Sequence, residues 1–202
     1  MSARVDLSRW DTVHLAESFA RAEPFSHVVI DDFLDSSHVS ELVDAFEEEP
    51  AENIQDEIFD VMASAAPPVH EALRSFHDAL GAPAVLRAIR EITGEAVSGV
   101  ETRAYVYLPG HYLLPHADRD ASGRRRVAYA FYAATRGALS GGELDLYRCD
   151  LEAGRIVHTE IAKTILPRPN RCVLFGVAPH TLHRVREVTA GARLSLAGWF
   201  LQ

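Results

Sequence analysis

The chain has 202 residues, enough for one domain with a sizeable core. Its composition, 48% hydrophobic and 24% charged, is that of a soluble globular protein, and a net charge of -9 argues against a broad nucleic-acid-binding surface. No apolar run approaches the roughly 18 residues a membrane helix requires, and Met1-Ser-Ala-Arg-Val-Asp6 opens no apolar leader, so a cytoplasmic protein without nucleic-acid or membrane partners is expected.

Residues 1–22 read as a polar, partly helical lead-in. Pro24–Leu34, with its Val-Val-Ile centre, reads as a strand. Asp35-Ser36-Ser37 offers an N-cap, and Val39, Leu42, Val43 and Phe46 follow at helical spacing. The acidic run Glu47-Glu48-Glu49 is a solvated end before Pro50 stops the helix. Residues 51–67 show less regularity. A second helix carries Val69, Leu73, Phe76 and Leu80. A third starts at Pro83, carries Val85, Leu86, Ile89 and Ile92, and closes at Gly94.

After residue 100 the period changes from helical to alternating. Thr102–Leu108, Val127–Ala134, Glu143–Tyr147, Thr159–Leu166, Cys172–Gly176, Leu182–Val188 and Arg193–Leu201 read as seven short strands parted by Gly and Pro turns. That number is near the eight of a double-sheet jelly roll. The expected fold is α+β in a single domain, 1–202: residues 1–99 mainly helical with one strand, and 100–202 a double-stranded β-helix with the helices packed on one sheet. Cys149 and Cys172 belong to no C-x-x-C pair and read as structural thiols. Arg124-Arg125-Arg126 reads as a solvated loop.

His116-Ala-Asp118 places an imidazole and a carboxylate on one side of an extended chain, suited to two positions on one metal. Short H-x-D patterns are common by chance, so the rest of the chain decides. His183 supplies a second imidazole from a late strand. The three make a 2-His-1-carboxylate set, which suits a non-haem Fe(II) centre with open positions. His180 competes with His183, and Asp120 with Asp118, but each lies in a turn or loop. In the last strand Arg193, Ser195, Ala197 and Trp199 share one face, while Leu194, Leu196 and Phe200 take the other. A buried guanidinium needs a partner. That partner is an internal carboxylate or the carboxylate of a bound 2-oxo acid.

The ordered pattern H-x-D…H-x-V-x-x-V-x-x-G-x-R-x-S-x-x-G-W-F resembles the Fe(II)- and 2-oxoglutarate-dependent dioxygenases, in their prolyl 4-hydroxylase-like branch. In it 65 positions separate Asp118 from His183 and ten separate His183 from Arg193. Tyr107-Leu-Pro-Gly110, Arg126–Tyr132 and Gly141-Gly-Glu-Leu144 resemble the neighbouring segments of that branch. Tyr132-Ala-Ala-Thr-Arg136 departs from its usual continuation. The resemblance implies Fe(II), 2-oxoglutarate and O2 as cofactor and co-substrates, with ascorbate as a further reductant. It makes His116, Asp118 and His183 catalytic metal ligands. It places Arg193 on the far carboxylate of 2-oxoglutarate, Tyr132 on the same carboxylate, Tyr107 in the co-substrate pocket and Leu144 as its apolar wall. Ser195 is grouped with these co-substrate residues. Tyr105 and Tyr129 are alternatives to Tyr107 and Tyr132, because a one-residue slip reverses a strand face.

His27, His70, His77, His111 and His158 read as structural or surface histidines. Arg184 and Arg186 alternate with Val185 and should point away from the metal. Trp199 reads as core, or as a border of the substrate cavity. Related halogenases have a small residue where Asp118 stands, so hydroxylation of a C–H bond is implied, with release of succinate and CO2. The substrate classes of the branch are free amino acids, peptidyl proline and small metabolites. The oligomeric state is open. Two other functions fit less of the chain: a catalytically silent metal-binding jelly roll, and a cupin-type enzyme that does not use 2-oxoglutarate.

Overall fold

Alternation in two central strands sets the architecture. In β6 (Arg125–Ser140) Val127, Tyr129, Phe131 and Ala133 turn to one side, and Ala128, Ala130 and Tyr132 to the other. In β11 (Ala190–Leu201) Leu194, Leu196 and Phe200 join the first set. That first side packs beneath four helices, α1 (Thr12–Arg21), α2 (Ser36–Ala45), α3 (Glu71–Leu80) and α4 (Pro83–Thr93), which bury Phe19, Leu42, Leu73, Phe76, Leu80 and Ile89 against it. The second side faces the interior of a curled sheet and forms a smaller cluster with Leu144, Leu146 and Phe175. The computed structural model describes residues 5–202, so the start of the lead-in lies outside the described residues.

The remaining strands are β1 (His27–Ile30), β2 (Ala51–Asp56), β3 (Phe59–Ser64), β4 (Gly99–Tyr107), β5 (Tyr112–His116), β7 (Leu144–Glu152), β8 (Arg155–Ile165), β9 (Arg171–Gly176) and β10 (His183–Val185). Every pairing among them is antiparallel, in the order β1-β9-β6-β11-β4-β3-β5-β10-β7-β8, with β2 hanging on β3. β3 joins the two halves, because Met62 and Ala63 pair with β4 while Phe59 and Asp60 pair with β5. The result is a curled jelly roll with helices on one face, as expected.

Three details differ from the sequence reading. Residues 51–64 form a hairpin, β2–β3, so the first 99 residues carry three strands rather than one. Eight strands follow residue 98, not seven, the extra one being β5. Val69 precedes α3 and is 59% exposed, because His70 rather than a residue before Val69 caps the helix. The helix after Pro83 ends as expected, with Gly94 in the left-handed region at φ 74°. No helix of the described residues is long and apolar enough to cross a membrane.

Gly198 shows how closely β11 lies on β4. A Cβ there would meet the Glu101 carbonyl oxygen at 1.9 Å, and that backbone cannot give way without breaking the Gly198–Thr102 register. Gly198→Ala should therefore destabilise the fold by about 3 kcal/mol. Thermal melts should show this as a fall of roughly 6–12 °C in Tm.

Candidate metal and co-substrate site

His116 ends β5 and His183 begins β10, and these strands pair with His183 directly opposite His116. The two imidazoles therefore meet, with ring centroids 4.3 Å apart. Asp118 stands two residues beyond His116 and reaches both. Its Oδ1 is 3.4 Å from His116 Nε2 and its Oδ2 is 3.5 Å from His183 Nε2. One donor atom from each of the three lies within 4.8 Å of the others, the only such group among the described residues. Each imidazole is oriented by its other nitrogen: His116 Nδ1 lies 2.8 Å from the Leu114 carbonyl, and His183 Nδ1 3.2 Å from that of Thr181. A carbonyl acceptor at Nδ1 holds the proton there and frees Nε2 for coordination.

Burial and mutual contact shift the titration of all three groups. Burial lowers the His183 pKa, against the opposing pull of the Asp118 charge. Burial pushes the Asp118 carboxyl up, but the charge of His183 and the hydrogen bond from His116 outweigh it and hold the group at about 2. Trp199 Nε1 meets no partner at hydrogen-bonding geometry, yet it faces the carboxylate and helps to keep it ionised. For His116 the penalty of burial is exceeded by Asp118, and the pKa rises. Phe175 closes one side of the cluster, its ring 4.6 Å from that of His183.

These residues line a cavity of about 340 Å³. At its inner end is Arg193, 2% exposed. Its Nε donates to Ser195 Oγ at 2.9 Å and its Nη1 to the Gly142 carbonyl at 2.7 Å. Tyr107 and Tyr132 flank the guanidinium, with ring centroids 4.5 and 4.7 Å from it. No carboxylate among the described residues pairs with Arg193. The Gly141-Gly142 turn that supplies one acceptor has φ of 82° and 78°, and a Cβ on Gly141 would strike the Glu187 carbonyl at 1.9 Å. The glycines there let this turn lie against residues 187–188 and present a carbonyl to Arg193.

Register sorts the tyrosines by strand face. Tyr107 lies opposite Arg193, and Tyr105 opposite Ser195, so both β4 tyrosines share the Arg193 face and line the cavity. A bulge in β6 brings Tyr132 opposite Ser195. Tyr129 is turned to the helices, where its hydroxyl donates to Thr102 Oγ1 at 2.6 Å. The Tyr132 hydroxyl is buried and has no hydrogen-bond partner among the described residues. Burial raises its pKa, so the group is a proton donor lacking an acceptor. Leu144 lines the cavity, and Tyr132 stands against Arg193 at its inner end. Ser195 instead holds the Arg193 Nε, which puts it behind the guanidinium rather than in the cavity.

The competing candidates lie elsewhere. His180 is exposed, and Asp120 is bonded to Ser122 in its own loop. Arg184 and Arg186 point away from the metal-ligand cluster, and both donate to the buried Asp145 at 2.8 Å.

Residues 102–201 match the 2OG-Fe(II) oxygenase superfamily. The prolyl 3-hydroxylase OGFOD1 of Mus musculus is 30% identical over 188 residues, which is 88% of this chain and 33% of that protein. A prolyl-4-hydroxylase of Pseudomonas putida superposes with a TM-score of 0.69 at 22% identity, covering 93% of this chain and 98% of its own. A prolyl hydroxylase of Trichoplax adhaerens, solved with a hypoxia inducible factor peptide fragment, superposes with a TM-score of 0.68 at 16% identity, covering 94% and 90%.

The chain carries a 2OG-Fe(II) oxygenase domain. The chain spans about a third of the length of the mouse relative. Oxygenases of this superfamily use Fe(II), 2-oxoglutarate and O2, and the residues of this domain suit that set. Two oriented Nε2 atoms and an ionised carboxylate converge on one point, and a buried guanidinium and a buried hydroxyl lack an anionic partner beside it.

Parts of the oxygenase cavity were not foreseen from sequence. The β2–β3 hairpin contributes Ile54, Ile58, Phe59 and Val61 to its outer wall. Arg125 also lines the cavity, its guanidinium 3.4 Å over the Trp199 ring and its Nη1 3.3 Å from the Asp118 carbonyl. The alternation Phe59-Asp-Val61-Met-Ala63 was the available signal for this wall.

Proposed function

We propose that the protein is an Fe(II)- and 2-oxoglutarate-dependent dioxygenase that hydroxylates a prolyl residue of a polypeptide. The observation that carries the reading is the metal-ligand cluster and a carboxylate-free, buried Arg193 in one cavity. A silent metal site, or one that does not use a 2-oxo acid, has no need to bury that charge at such cost. The prolyl part of the reading is supported by the mouse relative, a prolyl 3-hydroxylase that aligns with most of this chain.

In this reading His116, Asp118 and His183 hold Fe(II), leaving open positions for co-substrate. Bound there with 2-oxoglutarate and O2, the metal supplies the oxidising chemistry: one oxygen atom enters succinate as CO2 leaves, and the other enters the substrate C–H bond. Arg193 receives the far carboxylate of 2-oxoglutarate, and Tyr132 donates its hydroxyl to the same group. Tyr107 covers the other side of the guanidinium, and Leu144 walls the pocket. Ser195 and the Gly142 carbonyl fix the fork of Arg193 before the ligand arrives, which lowers the entropic cost of binding. The apolar wall from the β2–β3 hairpin excludes water from the reacting end.

The test is direct. Purified protein with Fe(II), 2-oxoglutarate and O2 should release succinate and add one oxygen atom to a proline-containing peptide, read by mass spectrometry. Succinate formation that persists without Fe(II) would overturn the reading.

Tyr132→Phe isolates one donor. Its hydroxyl has no hydrogen-bond partner among the described residues, so its loss should leave Tm within about 1 °C of wild type. A hydrogen bond to a charged group contributes about 1.5–3 kcal/mol. The KM for 2-oxoglutarate should accordingly rise roughly 10- to 100-fold in initial-rate assays.

A further inference from the structure

Between Arg21 and Arg74 the chain has no Lys or Arg, while Asp and Glu recur throughout. This unbalanced stretch includes the hairpin that walls the outer cavity. In β2, Glu52, Ile54 and Asp56 share one face by period 2, and their partners across the hairpin are Ala63, Val61 and Phe59. Ile54, Val61 and Phe59 line the cavity, so Glu52 and Asp56 belong to the cavity-side face of the strand. Both are exposed, as is Glu57 in the turn, and none of the three forms an ion pair among the described residues. Asp56 makes a local bond, accepting from the Glu57 amide at 2.5 Å.

On that face of β2, Ile54 reaches the cavity while the exposed acids on either side of it rim the wall. Glu52 and Asp56 stand about 13 Å apart along the strand, with Glu57 next to Asp56, and the hairpin itself carries no Lys, Arg or His to offset them. Elsewhere in the cavity lining, beside Trp199 and the Asp118 carbonyl, stands Arg125, which forms no ion pair among the described residues. The mouth is thus negative on the β2 side and positive on the Arg125 side.

We infer that the polypeptide substrate carries a Lys or Arg close to the hydroxylated residue, on the side that lies against Glu52, Asp56 and Glu57. The inference rests on the proposed peptidyl hydroxylase activity and adds the charge of the substrate to it. Ile54, Ile58 and Phe59 receive the apolar stem of that side chain while its charged end meets the carboxylates. The Arg125 guanidinium repels a cation placed beside it, which fixes the direction in which the peptide lies.

The experiment compares acetylated, amidated alanine-based peptides with one central proline, flanked on one side or the other by Lys, Gln or Glu. The wild type should hydroxylate the best Lys-flanked peptide with a KM about tenfold below that of its Glu-flanked counterpart, and the gap should close in roughly 0.5 M NaCl. The Lys should help on one side of the proline only. The triple variant Glu52→Lys/Asp56→Lys/Glu57→Lys should invert the ratio and favour Glu-flanked peptides. A milder set, Glu52→Gln/Asp56→Asn/Glu57→Gln, keeps the Asp56 acceptor for the turn and should bring the ratio near one. Hydroxylation of all the peptides with equal KM overturns the inference and leaves the hydroxylase reading intact. Succinate release without hydroxylation of any peptide overturns the peptidyl substrate itself.

Discussion

Arg193→Met should raise the KM for 2-oxoglutarate by roughly 100-fold or more, since truncating one partner of a buried, hydrogen-bonded charge pair costs about 2–5 kcal/mol. The same change should barely affect the unliganded fold. Arg193 is 2% exposed and is sandwiched between Tyr107 and Tyr132, so Met fills much of its volume. Its loss leaves Ser195 Oγ and the Gly142 carbonyl without their donor, but it also removes a buried charge that has no carboxylate partner. These two effects oppose each other. The distinguishing readout is ligand-induced stabilisation. A wild-type protein held anaerobically with Fe(II) and 2-oxoglutarate at 100 times its Kd gains about 2.7 kcal/mol, equivalent to roughly 5–11 °C in Tm for a domain of this size. The variant should show no such rise at that concentration. An equal rise in both proteins would remove Arg193 from the co-substrate site.

The part of this site carried by regular strands was legible from sequence because period 2 is strict there. Arg193, Ser195 and Tyr107 lie on one face of paired strands, as alternation requires, and Leu194, Leu196 and Phe200 lie on the other. Tyr132 was harder to place. A bulge near Ala133 shifts the β6 register against β11, and alternation cannot reveal a bulge in advance. Ser195 shares the Arg193 face but sits behind the guanidinium, a distinction that depends on depth rather than on side. β5 was hidden because Pro115 interrupts it and the strand is only five residues long. The β2–β3 hairpin was hidden for a different reason. β2 is a polar strand at a sheet edge, and its inward face carries Glu52 and Asp56, so no hydrophobic pattern announces it. The helices were legible where the apolar stripe is continuous, as in α4. Val69 was misplaced because an apolar residue just before the N-cap shares the helical spacing without sharing the helix's burial.

His116→Ala, Asp118→Asn and His183→Ala should each cut succinate formation by more than about 100-fold, and any two together should cost little more than one alone. The size follows from metal chemistry: altering residues that merely orient ligands costs 10–100-fold, so loss of a ligand exceeds that. The failure to add is the stronger claim. Groups that act as a unit are grossly non-additive in their effect on rate, whereas three independent structural defects would multiply. Asp118→Asn is the most informative of the three because it changes no volume. It removes the charge that stands 3.4 and 3.5 Å from the two Nε2 atoms and leaves the pairing of β5 with β10 in place. Retained iron, measured on protein freed of excess metal, should fall with activity in every variant, while circular dichroism stays at wild type for Asp118→Asn. Multiplying losses with unchanged iron content would mean that the cluster shapes the cavity without holding the metal. Parallel loss of iron and turnover, saturated by the first substitution, is the outcome expected of a single centre built across the β5–β10 pair.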